Sequence, residues 1–492
     1  MDYISTRDVN TRKTSAQAIA EGLSREGGLF VPERFPQLPE GWLRDLMGKT
    51  YVQRAAYIMK LFLEDFSSQE LEEYCRLAYS SFDSEAVTPV KRLDDGTYIL
   101  ELWHGPTCAF KDVALQILPY LMTASLRKTG ESRRVCILVA TSGDTGKAAL
   151  EGFRDVEGTK IMVFYPRDGV SQVQKLQMTS QEGSNVAVNA IYGNFDDAQR
   201  GVKTIFSDPA FRQEMGEKGW ILSSANSINW GRLLPQVVYY FSAYADLVNN
   251  GAVKAGEKVN FCVPTGNFGD ILAGYYARKM GLPVGRLICA SNRNDVLTEF
   301  INTGVYDRNR PFYETTSPSM DILVSSNLER LLFDLAGDDV AVASFMARLN
   351  KTGRYAVPES VREGVQAVFS AGSLTDLETG RVIGDTFRDR GYLMDTHTAV
   401  AAGVLEKYRA QTGDRTLTVV LSTASPFKFT EAVLTALGEV PQDKGPQLID
   451  RLTEVTGVEA PAPLAALKGK TPRFEGTLYK DELLRAVRDF LE

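Results

Sequence analysis

One recurring order constrains this chain more than any other feature. Between about residues 97 and 425, apolar strands run into glycine-rich turns and then into helical patterns. "RRVCILVA" leads to "TSGDTG" and "KAALEGFRD"; "EKVNFCV" leads to "PTGNFG" and "DILAGYYARKMG". "KIMVFYP", "NVAVNAIYG" before "FDDAQRGVKTIF", "GRLICA", and "RTLTVVL" before "STASPFKF" continue it. Apolar strands alternating with amphipathic helices predict an α/β architecture of mostly parallel sheets covered on both faces. Ligands of such sheets bind beyond the carboxyl ends of the strands. Each of these glycine-rich loops lies at such an end.

The flanks read differently. Residues 1–85 are largely helical with turn punctuation and predict a small N-terminal helical module packed on an α/β body at 86–430. Residues 311–390 are richer in polar turns and helices, as an insertion or a cover would be. Residues 431–492 carry "PQDKGP" and "PAPL" around short helices and predict a C-terminal helical tail packed on the body. The 492 residues suffice for two large domains or about three average ones. With 55 basic against 62 acidic residues and no long basic block, nucleic acid is not an expected partner, and an anionic ligand needs a locally positive pocket. No apolar run approaches the roughly 18 residues that span a bilayer, so no membrane association is expected, and the first residues lack the apolar core of a signal peptide. Five scattered cysteines without a CxxC pair predict reduced thiols in a cytoplasm. With only two histidines, His104 and His397, no metal site is expected.

Four loops carry chemistry-bearing residues. In "HGPTCAFKD", Lys111 follows Cys108, Ala109 and Phe110, which would partly desolvate it; desolvation disfavours the ammonium and brings a nucleophilic amine toward neutral pH. An ordinary exposed lysine is the alternative. In "PTGNFGD", Gly266 and Gly269 let backbone N–H groups at a helix start approach an anion, or simply shape a tight turn. "TSGDTG" lacks the spacing of a phosphate-binding P-loop, which disfavours a nucleotide despite Lys147; its hydroxyls and backbone donors suit a carboxylate or a small polar ligand. In "ANSINWGR", Asn226, Ser227 and Arg232 form either an oxyanion pocket or a helix cap. His397 reads as a helix N-terminal residue rather than a base, and Lys175 as a weaker candidate for an extra cation.

Together "HGPTCAFKD", "ATSGDTG", "NSINWGR", "PTGNFGDILAGYYA", "DTHTAVA" and "LSTASPFKF", with "YISTRD" and "EGLSREGGLFVPE" at the front, resemble threonine synthases of the longer bacterial and fungal type. These are fold-type II enzymes, and the resemblance implies two open, mostly parallel-sheet domains of the tryptophan synthase β-like kind, the smaller at about residues 115–230. It implies pyridoxal 5'-phosphate joined to Lys111 as a Schiff base. Gly266, Asn267, Phe268 and Asp270 would surround the cofactor phosphate, Thr423 would meet the ring nitrogen and Asp144 the ring hydroxyl, in a protonation state left open. Thr141, Ser142, Gly143 and Thr145 would hold the substrate carboxylate; Asn226, Ser227 and Arg232, with Thr145, its phosphate. The implied reaction turns O-phospho-L-homoserine and water into L-threonine and phosphate. Ser425 and Phe427 stand where many members have His and Ala, and Thr396 where Pro is frequent. Amino-acid dehydratases and cysteine synthase share the cradle but leave "NSINWGR" unexplained; a sensor without activity would not need Lys111. Oligomeric state is not legible.

Overall fold

A computed structural model describes residues 1–168 and 170–492. Two open sheets dominate it. The larger has the order Phe369–Ser373, Val284–Ser291, Val259–Pro264, Thr418–Ser422, Thr97–Glu101, Val90–Arg92, parallel throughout except for the antiparallel last pair. The smaller has the order Thr477–Leu478, Val186–Ile191, Thr159–Pro166, Arg134–Ala140, Trp220–Ser223, and is entirely parallel. Central strands such as "VNFCVP" and "TVVLS" are buried along their whole length. Continuous apolar runs of this kind are what a sheet covered on both faces requires.

The helix Trp230–Asn249 is buried almost all round, as its near-continuous apolar sequence demands. Trp230 is fully buried among Tyr3, Phe62 and Tyr276, at ring-centre distances of 5.3, 5.6 and 6.1 Å. That contact joins the first eighty residues to the body. Three of their four helices start on capping boxes: Thr14 with Gln17, Thr50 with Gln53, and Ser67 with Glu70.

Three elements depart from the expected layout. The N-terminal segment is not helical alone: "YIS", "DVNTRK" and "FVP" form a three-stranded antiparallel sheet. The tail adds the strand Thr477–Leu478 to the edge of the smaller sheet, and its helix Leu483–Leu491 packs so closely on Phe195–Ser207 that a Cβ at Gly201 would lie 2.4 Å from Leu483. Within 311–390, "FSAGS" is the edge strand of the larger sheet rather than part of a cover. Only its Phe369 is buried, so it lacks the apolar run that marks the other strands. Among the described residues, no helix is long and apolar enough to cross a membrane.

Candidate active site

Three neighbouring strands of the larger sheet deliver three of the chemistry-bearing loops. Thr97–Glu101 leads toward Lys111, Thr418–Ser422 into Thr423, and Val259–Pro264 into Gly266. The first two loops are sewn together: Ala109 and Ala424 form an isolated bridge, the Phe110 N–H donates to the Thr423 carbonyl at 2.8 Å, and the Ser425 N–H to the Cys108 carbonyl at 3.1 Å. The lysine loop is shaped by Asp112, whose carboxylate accepts from the Thr107 N–H at 2.8 Å and its hydroxyl at 2.7 Å. A Cβ at Gly105 would strike the Asp112 side chain at 2.5 Å, and Cys108 holds a left-handed backbone, φ 59°. Non-glycine residues in that region cost about 1–3 kcal/mol and gather at functional loops.

Lys111 ends this loop with its side chain 11% exposed. Its Nζ donates to Ser319 Oγ at 3.2 Å, lies 3.5 Å from Asp144 Oδ2 and sits over the Phe110 ring. Burial lowers its pKa, and the Lys428 and Arg232 charges add to that; Asp144 opposes it. The desolvated amine expected from "CAFK" is therefore present.

The smaller sheet brings the opposing wall. Arg134–Ala140 leads into Thr141–Asp144, and Trp220–Ser223 into residues 224–232. Thr141 Oγ1 accepts from the Gly143 N–H at 3.0 Å and the Gly146 N–H at 2.9 Å, so these groups hold the loop's own shape. Ser142 and Thr145 stay partly open. Asp144 is buried; burial would raise its pKa, but the Lys428 and Lys111 ammoniums and the Gln174 amide overcome this and hold the carboxyl well below the usual range. The two ammoniums and the amide thus favour the ionised form of Asp144. Lys147 pairs with Glu151 and Gln181 instead of facing a ligand.

Arg232 is 3% exposed and has no carboxylate partner among the described residues. It donates through Nη1 to the Ala225 carbonyl, its Nε is buried without a partner, and burial pushes its pKa down to about 10. An unneutralised buried cation is expensive unless an anion joins it. The helix cap anticipated for this segment is Asn229, which accepts from the Gly231 N–H at 2.8 Å; Asn226 and Ser227 remain half-buried, with Ser227 3.4 Å from Ser326.

The Gly266 loop fits a phosphate. Among the described residues, the N–H groups of Gly266, Asn267 and Phe268 find no acceptor in the chain. Phe268 takes φ 64° at the start of the helix Gly269–Lys279, so these donors sit at the positive end of its dipole. A Cβ at Gly266 would meet the Ser319 carbonyl at 2.5 Å. Asp270 is buried, its carboxylate accepts from the Ile271 N–H at 2.8 Å, and burial pushes its pKa up to about 7. Thr423 is buried and its hydroxyl makes no hydrogen bond within the described chain. A buried amine, unused N–H donors and a free neutral hydroxyl on three adjacent strands suit a phosphorylated aldehyde cofactor.

His397 lies in the first turn of the helix Thr396–Thr412, as its sequence context predicts. His397 Nε2 accepts from the Ser319 N–H at 3.1 Å while Nδ1 lies 2.8 Å from Asp395, so it holds Ser319 in place. The Lys175 ammonium makes no ion pair among the described residues. Sequence reasoning missed Ser319, Gln174, Gln177 and Lys428. The first three carry no local signal; Lys428 follows Phe427 as Lys111 follows Phe110.

The chain matches the models for the threonine synthase N terminus over residues 2–79 and the threonine synthase C-terminal region over residues 398–474. It is 41% identical to threonine synthase of Pseudomonas aeruginosa over 447 residues, covering 90% of this chain and 92% of that one. The chain belongs to the threonine synthase family. A solved structure of a threonine synthase from Brucella melitensis with bound PLP superposes with a TM-score of 0.88 at 40% identity, covering 100% of this chain and 98% of that one. Human threonine synthase-like 1 is 42% identical over 456 residues; the match covers 88% of this chain but 60% of that protein's length.

Proposed function

We propose that this chain converts O-phospho-L-homoserine and water to L-threonine and phosphate, with pyridoxal 5'-phosphate held at Lys111. Arg232 carries the reading. A cofactor phosphate accounts for the unused donors at Gly266–Phe268, and a substrate carboxylate for the Ser142 loop. A third anion is still called for beside a buried guanidinium that has no counter-charge among the described residues and an unpaired Nε. The phosphate of a phosphorylated amino acid supplies it.

When bound, pyridoxal 5'-phosphate supplies an aldehyde for the substrate amine and a ring that delocalises the electron pair left at the α-carbon. The residues for it are Lys111, the Gly266, Asn267 and Phe268 N–H groups with Asp270 behind them, Thr423 for the ring nitrogen, and Asp144 for the ring hydroxyl. A neutral hydroxyl at the ring nitrogen leaves a weaker electron sink than a carboxylate would, which favours elimination over transamination. Lys111, its basicity lowered by burial, takes and returns the α-proton. Arg232, with Asn226, Ser227 and Thr145, binds the γ-phosphate and stabilises it as it leaves. Ser142 and its loop, shaped from within by Thr141 and Gly143, orient the carboxylate. In the net change Cβ gives up a proton and takes the hydroxyl of water. Cγ loses phosphate and takes a proton, and the remaining proton leaves with phosphate. Five buried, unpaired cysteines fit a reducing compartment such as the cytoplasm.

The test is Arg232→Ala assayed on two substrates. Hydrogen bonds to charged groups contribute about 1.5–3 kcal/mol each, so kcat/KM for O-phospho-L-homoserine falls at least tenfold to a hundredfold. Turnover of an analogue without a phosphate, such as threonine or serine, changes little. Equal losses on both would remove Arg232 from the phosphate site.

A further inference from the structure

Lys428 lies in the turn that follows Thr423 and is fully buried. Its Nζ donates to the Thr107 carbonyl at 2.8 Å and to Gln177 Oε1 at 2.9 Å, and lies 3.1 Å from Asp144 Oδ1. Three acceptors use all three protons of an ammonium. They come from three separate pieces of the molecule: the lysine loop, the helix Gln172–Thr179 and the start of the helix Asp144–Phe153. A neutral amide would tie such pieces together without burying a charge. The charge therefore calls for a reason beyond adhesion, and its counter-charge is Asp144.

Asp144 divides its two oxygens. Oδ1 takes Lys428 and the Gln174 amide, the latter at 2.8 Å; Oδ2 faces Lys111 at 3.5 Å. One carboxylate thus stands between two ammoniums. With Lys428 absent, its whole charge would fall to Lys111 and hold that amine protonated.

We propose that Lys428 is a positioning residue for Lys111: it locks Asp144 as a carboxylate with Oδ2 toward the reacting amine, and draws off enough of that charge to keep the amine easily deprotonated. This rests on Lys111 being the reacting amine. Among the described residues, the other charged or titratable groups facing the pair are Arg232 on the helix Trp230–Asn249, Asp270 beside the Gly266 loop, Cys108 and Asp112 on the lysine loop, Lys147 on Asp144's own helix, and His397, which is held by Asp395. Burial and the Lys428 and Arg232 charges lower the Lys111 pKa against the pull of Asp144, as this division of charge requires.

The experiment uses the full chain stripped of cofactor. Lysines are labelled with acetic anhydride across a pH series, and the Lys111 peptide is quantified by mass spectrometry. In Lys428→Met the labelling midpoint of Lys111 moves up by about one pH unit, a roughly tenfold loss of labelling well below it. Lys428→Gln keeps a polar group in the same place without the charge; its Lys111 midpoint should rise likewise, which keeps the test open if Lys428→Met folds poorly. In the double variant Lys428→Met/Asp144→Asn the midpoint falls back, because the unopposed Asp144 charge was what raised it. A wild-type midpoint in a folded Lys428→Met or Lys428→Gln, whatever its melting temperature, reduces Lys428 to a tie between the sheets and overturns the proposal. Borohydride reduction with pyridoxal 5'-phosphate, mapped in parallel, separates the underlying reading: attachment to a lysine other than Lys111 overturns that reading, and this proposal with it.

Discussion

Gly266→Ala probes how closely the anion loop is built against the segment that holds Lys111. The added Cβ would lie 2.5 Å from the Ser319 carbonyl oxygen, whereas real Cβ contacts keep at least 3.0 Å. The partner is backbone, so no rotamer can yield, and Ser319 must retreat by about half an ångström or more. Ser319 Oγ accepts from Lys111 Nζ at 3.2 Å, and its N–H donates to His397 at 3.1 Å. A retreat of that size carries the first contact beyond hydrogen-bond reach. Overpacking of this kind costs about 1–3 kcal/mol, and an error near 1 Å in a reacting group costs about a hundredfold in rate. Cofactor retention by visible absorbance after dialysis, melting temperature and kcat together read the effect. Gly269→Ala is the control in the same loop, since its Cβ would meet nothing closer than Asn327 Nδ2 at 3.5 Å. Gly266→Ala should lose cofactor on dialysis and at least tenfold in kcat, with Gly269→Ala melting like the parent. Wild-type retention and turnover in Gly266→Ala would refute the argument.

Lys111→Ala should abolish turnover while the cofactor-free protein melts within a few degrees of wild type, because the change removes a desolvated amine and no core contact; measurable turnover would exclude Lys111 as the essential amine. Asp270→Asn tests the buried carboxyl at the anion loop. Its folded pKa of about 7 lies above the ordinary 3.8, so the wild-type fold holds a proton the unfolded chain has lost, and its stability falls as pH rises between those values and then levels off. The stability gained by Asp270→Asn in the cofactor-free protein, measured by urea unfolding, should therefore grow from about pH 4 to about pH 7; a pH-independent difference would contradict it.

The alternation of apolar strands and glycine loops was enough to place Lys111, Thr423 and Gly266 at sheet ends, because burial on both faces leaves a continuous apolar run for each central strand. Edge strands leave no such mark, which is why "FSAGS" and the two-residue strand at Thr477 were not legible. Loop chemistry was legible as residue type but not as direction. Thr141 turns its hydroxyl inward to two N–H groups, and Asn229, rather than Asn226 or Ser227, caps the helix. Ser319 reaches Lys111 across 208 residues of sequence, and no local pattern announces such a contact. Lys428 did carry a signal, a lysine behind Phe427 at a strand end, which is the same one that singled out Lys111.

The central claim, elimination of a γ-phosphate followed by hydration at Cβ, is tested most directly on the purified, cofactor-loaded chain given O-phospho-L-homoserine, with free phosphate and threonine followed together. The two should appear in equal amounts at equal rates. Phosphate released with a keto acid in place of threonine would contradict the claim, for the site would then eliminate without directing water to Cβ.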